Sequence, residues 1–300
     1  MQTLADIKAL LASRGLQPKK SLGQNFLIDH NLIRKLADAA NLSPGDLALE
    51  VGPGTGALTE ELLARDVHVV ACELDDNLAA MLAERAPTLP GGGNLTVVHA
   101  DCLEKDPAAP GEKRLSRPLR DALAGRPFAL AANLPYGAAT PLITTILLHH
   151  PECPRLAVTI QREVADRLLA PTSSKDRGGL SVIAQALAHV SRIATAPREC
   201  FWPRPDVTSA MVLLERRPHP LTADPLALSA FCRRLFAQRR KQLGGILGRE
   251  TPWPPGIDPA MRPEQLTVEQ IEALRLAANE TIPPVPPPDP STPPAPRDRL

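Results

Sequence analysis

The 300-residue chain is predicted to be an α/β protein: a mainly parallel, doubly wound, Rossmann-like sheet with a small helical domain after it. Three observations predict this. Short β-branched strand patterns alternate with helical patterns through the first two thirds of the chain. A glycine-rich turn follows the first of those strands. After Pro218 only helical patterns remain.

The elements are taken in chain order. The opening stretch MQTLADIKALLASRG is short and amphipathic, with Asp6 inside it, and lacks the continuous apolar run of a secretory signal. LALEV (47–51) and VHVVACE (67–73) are runs suited to a sheet buried on both faces. LTVVHAD (95–101), FALAAN (128–133) and LAVTIQ (156–161) continue the series. Helices are expected at Ala57–Arg65, Asn77–Ala86, Pro141–His149 and Arg162–Ala170. Residues 104–127 begin with six charged residues within EKDPAAPGEKR and are expected to be a surface insertion between strands. VTSAMVLLE (207–215) alternates with period two and is expected to be an antiparallel edge strand. Helices follow at Leu226–Ala237, Lys241–Leu247 and Val268–Ala278. The expected division is therefore residues 1–217, 218–280 and 281–300. Nine of the last 20 residues are proline, so that tail is expected to be extended and disordered.

Composition narrows the function classes. The 34 basic and 33 acidic residues leave a net charge of +1, so a nucleic-acid partner has to be held by a local patch. Apolar residues at 43% exclude a disordered chain. Five scattered cysteines with no CxxC pair give no metal spacing and suit a reduced, cytoplasmic protein. The uncharged stretch 127–150 is interrupted by Asn133, Pro135, Gly137 and Pro141, which excludes a membrane span there.

Glu50-Val-Gly52-Pro-Gly54-Thr-Gly56 lies between a strand and a helix. Such glycines allow a tight turn and let a ligand approach the backbone N–H groups of the helix start. The next strand ends in Glu73, 21 residues after Gly52, where a carboxylate meets ribose hydroxyls. The third ends in Asp101, placed to accept from an adenine amino group. Together these predict a nucleotide-type cofactor. Gly52-x-Gly54-x-x-Ala57 also satisfies a relaxed dinucleotide fingerprint, so NAD is a rival. Two features favour S-adenosylmethionine: Glu50 beside a pyrophosphate would repel it, whereas a sulfonium tolerates an acid, and Asn133-Leu134-Pro135-Tyr136 follows the fourth strand.

Asn133-Leu134-Pro135-Tyr136 follows the fourth strand, and Tyr136 is the only tyrosine. The exocyclic nitrogen of adenine is a poor nucleophile because its lone pair is delocalised into the ring. The Asn133 side-chain carbonyl and the Leu134 main-chain carbonyl suit acceptance of its two protons, which favours a pyramidal nitrogen. Pro135 fixes φ and offers no competing N–H. Tyr136 suits stacking on an extruded base. Phe201, in Phe201-Trp202-Pro203-Arg204-Pro205, is expected to be a second wall of the base pocket, while Trp202 reads equally well as core.

These motifs resemble those of the ribosomal RNA adenine N6,N6-dimethyltransferases over residues 18 to about 278. The resemblance begins at Lys19-Lys20-Ser-Leu-Gly-Gln24-Asn25-Phe26-Leu27, where the family has a segment that closes over the cofactor. It continues through the glycine turn, Glu73-Leu-Asp75, Asp101, Asn133–Tyr136 and Phe201-x-Pro-x-Pro. It implies a class I methyltransferase sheet and an S-adenosylmethionine site at Asn25, Leu27, Gly52, Glu73, Asp101 and Asn133. It also implies dimethylation of two adjacent adenosines in a hairpin near the 3′ end of small-subunit (16S) rRNA, within the assembling 30S subunit, by a monomer. Leu235–Leu243 and Arg262–Glu269 resemble the helical signature of the small-subunit enzymes. The alternatives are a resistance-type 23S rRNA methylase and a non-catalytic assembly factor. Residues 231–250 hold six basic residues against one acidic, a local patch suited to phosphates.

Overall fold

The structure, a computed structural model, describes residues 2–108, 111–248 and 250–279. Helix α1 (Leu4–Ala12) is opened by a capping box in which Thr3 and Asp6 exchange hydrogen bonds. Strand β1 (Phe26–Leu27) leads to α2 (His30–Ala40), where the Asp29 carboxylate accepts from the Asn31 and Leu32 N–H groups. The alternation follows as β2 (Leu47–Val51), α3 (Ala57–Leu63), β3 (His68–Glu73), α4 (Asp76–Arg85) and β4 (Leu95–His99). Strands β5 (Leu103–Lys105) and β6 (Lys113–Leu115) form a hairpin ahead of α5 (Arg117–Leu123). Next come β7 (Ala129–Asn133), α6 (Ala139–His149), β8 (Arg155–Gln161), α7 (Arg162–Leu168), α8 (Gly179–Leu187) and β9 (Ala188–Ala196). Then follow β10 (Phe201–Trp202), β11 (Ser209–Arg216), α9 (Pro225–Ala237), α10 (Leu243–Leu247) and α11 (Val268–Asn279).

Seven strands lie in the order β4-β3-β2-β7-β8-β11-β9. The first five are parallel, and β11 runs antiparallel to both its neighbours. From β2 the chain moves outward through β3 to β4, then crosses back to lay β7 on the other side of β2. Loops leaving the carboxyl ends of β2 and β7 therefore diverge and open a crevice, where ligands of open α/β sheets bind.

Leu32, Ile33 and Leu36 of α2 and Leu58 and Leu62 of α3 pack on one face of the sheet against Ala48, Val69 and Met211. On the other face Leu119, Ile143 and Val182 pack against Leu49, Leu130 and Val158. That second cluster continues through Leu228, Leu235, Leu266 and Ile271, so the helices after Pro218 extend the sheet's core. Arg177, 1% exposed, clamps the joint. Its Nε and Nη2 donate to the Leu266 carbonyl at 3.2 and 3.0 Å, and its Nη1 donates to Ala170 at 3.2 Å.

Two expectations are corrected. The period-two strand β11 is antiparallel but not at the edge: five of its eight residues are buried and none is exposed, and the more exposed β9 lies outside it. Residues 104–127 are not a surface insertion. The hairpin and α5 put Leu115 and Leu119 at 0% exposure inside the core, and only their polar faces meet solvent. The proline tail 281–300 and Arg249 of the basic patch lie outside the described residues.

If α5 is part of the core, Leu119→Ala should cost ~2–5 kcal/mol through the cavity it leaves. A surface insertion would change stability by less than ~0.5 kcal/mol. Denaturant unfolding of the variant separates the two.

Candidate active site

A cleft of about 460 Å³ opens at the carboxyl ends of β2, β3 and β7. Its wall brings together Asn25, Gly52, Glu73, Asp101, Asn133, Leu134, Pro135, Tyr136 and Phe201, residues spread over nearly 180 positions of sequence. Leu27 is the exception. It opposes Phe201 in the two-stranded β1–β10 ribbon, and its side chain is turned into the core beside α2, so it does not line the cleft.

The glycine turn is shaped by close approach. Gly52 has φ +71°, and a Cβ there would meet the Pro135 ring at 3.1 Å. Gly54 has φ +57°, and its Cβ would meet the Phe26 ring at 2.8 Å. Both backbone conformations are strained for any residue with a side chain. Glu73 is pinned by backbone donors: Gly54 N–H to Oε2 at 3.1 Å and Asp75 N–H to Oε1 at 2.9 Å. Burial raises its pKa above the ordinary carboxylate value, against the pull of those N–H bonds. Asp101 is exposed in the cleft, with Oδ1 accepting the Leu103 N–H at 3.0 Å.

Glu50 is placed differently from its expected role. It does not line the cleft; it is 2% exposed and accepts the Thr59 hydroxyl proton at 2.6 Å. Burial pushes its pKa to about 8. A neutral carboxyl out of contact with the cleft repels no phosphate, so Glu50 does not discriminate between cofactors.

The segment from Lys19 to Asn25 straps across the cleft. Asp75, which also caps α4 through the Asn77 N–H at 3.1 Å, accepts from Lys19 Nζ at 3.0 Å and Gln24 Nε2 at 2.9 Å. Burial opposes the charge on Asp75, but these donors outweigh it and hold its carboxyl below the usual range. The strap then runs into β1, and Ile28 N–H donates to the Cys200 carbonyl at 2.8 Å, tying it to the Phe201 segment.

At the target loop, Asn133 Nδ2 donates to the Asn25 carbonyl at 3.0 Å. The Leu134 N–H donates to Thr159 O at 3.0 Å, and the Ala138 N–H closes the turn onto Pro135 O at 2.9 Å. Among the described residues no donor is bonded to Asn133 Oδ1 or Leu134 O. The Tyr136 hydroxyl is 3.3 Å from that of Ser209, which is fully buried. Trp202 stacks on Phe26 with centroids 6.3 Å apart, outside the cleft wall, and belongs to packing. Lys20, Gln24, Lys113 and Pro141 also line the cleft and were not expected. Lys20 and Gln24 lie inside the N-terminal motif quoted above; Lys113 carries no local signal.

A seven-stranded sheet of this order, with a nucleoside-sized cleft at its switch point, defines a class I methyltransferase. The model of the family described as "Ribosomal RNA adenine dimethylase" matches residues 15–275, and the chain belongs to that family. Ribosomal RNA small subunit methyltransferase A of Geobacillus kaustophilus is 38% identical over 90% of this chain and 94% of its own length. The protein of that name from Streptomyces griseus is 39% identical over 90% and 92%. Among solved structures, a dimethyladenosine transferase from Plasmodium falciparum shares the fold at TM-score 0.68, with 22% identity over 85% of this chain and 98% of its own. The 23S rRNA methyltransferase ErmE matches at TM-score 0.63, with 26% identity over 85% and 100%. The family takes its methyl group from S-adenosylmethionine. The residues present fit it: two carboxylates at adjacent strand ends face a cleft that would hold a cationic nucleoside.

The Glu50 carboxyl gives a pH signature. Its ordinary value is 4.5 and its folded value about 8, so between them the folded chain holds the extra proton. Stability then falls as pH rises, by about 1.4 kcal/mol per pH unit in that window. Glu50→Gln cannot ionise. Relative to wild type it should gain on the order of 3 kcal/mol between about pH 5 and pH 8. Urea unfolding at both pH values checks this, and an equal difference at both would refute it.

Proposed function

We propose that the chain transfers methyl groups from S-adenosylmethionine to N6 of two adjacent adenosines in the 3′-terminal hairpin loop of small-subunit (16S) rRNA. Its setting is the cytoplasm, its substrate the assembling 30S subunit, and it acts as a monomer. The observation that carries the chemistry is the commitment of Asn133 Nδ2 to the Asn25 carbonyl. An amide with its donor end fixed has its acceptor end fixed too, and Oδ1 is left for a substrate N–H. Leu134 O supplies the second acceptor.

S-adenosylmethionine supplies an electrophilic methyl group when bound. Gly52, Glu73, Asp101 and Asn25 are proposed to hold it, with Glu73 accepting from ribose hydroxyls and Asp101 from the adenine amino group. Asn133 Oδ1 and Leu134 O accept the two protons of the target amine and favour a pyramidal nitrogen. Tyr136 and Phe201 stack on the extruded base, and the Ser209 hydroxyl holds the Tyr136 ring in place. When bound, the sulfonium would supply the methyl group that the nitrogen takes up, and the proton given up by the amine passes to water. An aryl ammonium is acidic enough to need no general base.

The helices beyond Pro218 are proposed as the RNA-binding part. Arg240 and Lys241 are exposed, while Arg239 Nη2 is held by the Lys175 carbonyl at 2.8 Å. Small-subunit rRNA is preferred to 23S rRNA because the relatives named as small-subunit enzymes match at 38–39% over nearly their whole length.

Labelled S-adenosylmethionine offered with undermethylated small and large subunits tests the assignment. Label should enter small-subunit RNA as N6,N6-dimethyladenosine; label in large-subunit RNA alone would overturn it. Asn133→Ala should abolish transfer. Tyr136→Ala and Phe201→Ala should spare cofactor affinity and accumulate the monomethyl product. Stacking is worth ~1–3 kcal/mol per base, and the second transfer has only one N–H left to orient the amine. A wild-type ratio of mono- to dimethyl product by mass spectrometry would remove the stacking roles.

A further inference from the structure

The β5–β6 hairpin carries a charge arrangement that the fold does not need. Its register places Lys105 directly opposite Lys113 and Leu103 opposite Leu115, with Glu104 opposite Arg114 between them. Alternation puts both lysines on the same side as Leu103. On that side Leu103 and Lys113 line the cleft, while Leu115 is in the core. Like charges directly opposed across a pair of strands are destabilising. Both lysines are exposed.

The hairpin's acids do not relieve them. Glu104 is taken by Arg114 Nε at 2.8 Å and Arg120 Nη1 at 3.1 Å. Asp106 lies 3.7 Å from Arg114 Nη1. Glu112 faces Arg233 Nη2 at 3.2 Å and His149 Nε2 at 3.6 Å. Asp101, also on the cleft wall, makes no ion pair with either lysine. Among the described residues, every acid of the hairpin is committed to another cation. Neither ammonium group has an ion-pair partner among the described residues, and Lys113 lines the cleft. A local rule broken in this way, with no compensating partner among the described residues, marks a site for an external anion. The hairpin is also held in place: the Thr145 hydroxyl donates to the Lys113 carbonyl at 3.3 Å, and Glu112 links it to α9 through Arg233.

We propose that Lys105 and Lys113 form a phosphate-binding pair that grips a phosphodiester of the RNA strand next to the adenosine inserted in the cleft. This rests on the reading of that cleft as the target-base site. By neutralising a phosphate beside the cleft, the pair would keep the strand in register while the base is extruded. An ammonium suits the task as a point charge, without the fixed fork that a guanidinium imposes.

The test uses the full chain with Lys105→Gln/Lys113→Gln and, as its control, Lys105→Arg/Lys113→Arg. The probe is the small subunit lacking the modification, with binding measured across a salt series. Two lost contacts at ~0.7 each for a single strand should flatten the log–log salt slope by about 1.4 and weaken binding about 25-fold at about 0.1 M salt. The arginine control should keep both, and cofactor affinity should stay at the wild-type value in both variants. Thermal stability of the glutamine variant should be equal or higher, since repulsion is removed. An unchanged salt slope would overturn the pair. So would loss of cofactor affinity, which would assign the lysines to the cofactor's own carboxylate. Because binding is read separately from turnover, a wild-type chain that fails to methylate small subunits defeats the proposed function without deciding the lysine pair.

Discussion

The contact between Gly52 and the Pro135 ring sets the distance between the two halves of the site. β2 and β7 are neighbours in the sheet, so the turns that leave them start within one strand spacing of each other. A residue with a side chain at position 52 would push the Pro135 turn outward, since a Cβ there already lies 3.1 Å from two ring carbons. The glycine therefore does two things. It bends the chain into the helix α3, and it lets the target turn lie against the cofactor turn. Short separation between donor and acceptor is what in-line transfer between two bound molecules requires. The rest of the active site is built outward from that contact.

The strap is the second layer. It has little packing of its own and is held by polar bonds at both ends: Asp75 grips Lys19 and Gln24, and Asn133 grips the Asn25 carbonyl. Asp75 also caps α4, whose residues Leu78 and Met81 pack with Ile7, Leu11 and Phe26. The strap, the start of α4 and the N-terminal helix are thereby one mechanical unit over the cofactor side of the cleft. Lys19 is exposed, so its ion pair alone would be worth little. The near-complete burial of Asp75, with three donors on one carboxylate, is what gives the latch its strength.

The parallel strands were legible because they are buried on both faces and so appear as short unbroken apolar runs. The glycine turn and its strand-end acids were legible because turn geometry and charge placement leave local marks. Several features left none. β1 and β10 are two residues each, and the pairing of Phe26 with Trp202 is a long-range fact that no window of sequence holds. β9 follows α8 with no glycine or proline between them, so the apolar run 180–188 reads through the boundary. Charge misled at 104–127, where the polar residues are real but Leu115, Leu119 and Leu123 beneath them make the segment core. α2 did carry its signal, with Leu32, Ile33, Leu36, Ala37 and Ala40 at helical spacing, although it was not among the expected elements. Glu50 shows the limit of reading charge from sequence. An acid two residues from a ligand loop counts electrostatically only if it is ionised and faces the ligand, and burial beside Thr59 removes both conditions.

Asn133 joins the cofactor side to the target side through a single amide. Its nitrogen is bonded to the strap, so the position of the strap sets the orientation of the oxygen that the proposed reaction assigns to the base. An amide that swung freely would present nitrogen or oxygen with similar ease, and a nitrogen donor facing the target amine would repel its protons. Fixing the donor end removes that alternative at the cost of one hydrogen bond. The arrangement also fits a reaction performed twice at one nitrogen. On the proposed reading, one N–H would remain after the first transfer and a rigid acceptor would still hold it, while the new methyl group would take the place of the second proton beside the Leu134 carbonyl. The loss of that second contact must be offset by contacts that do not depend on N–H donors, and aromatic stacking is the contact of that kind that the cleft provides. Rigid polar acceptors for orientation, combined with adaptable apolar walls for retention, let the same cleft accept adenine and its monomethyl form in turn.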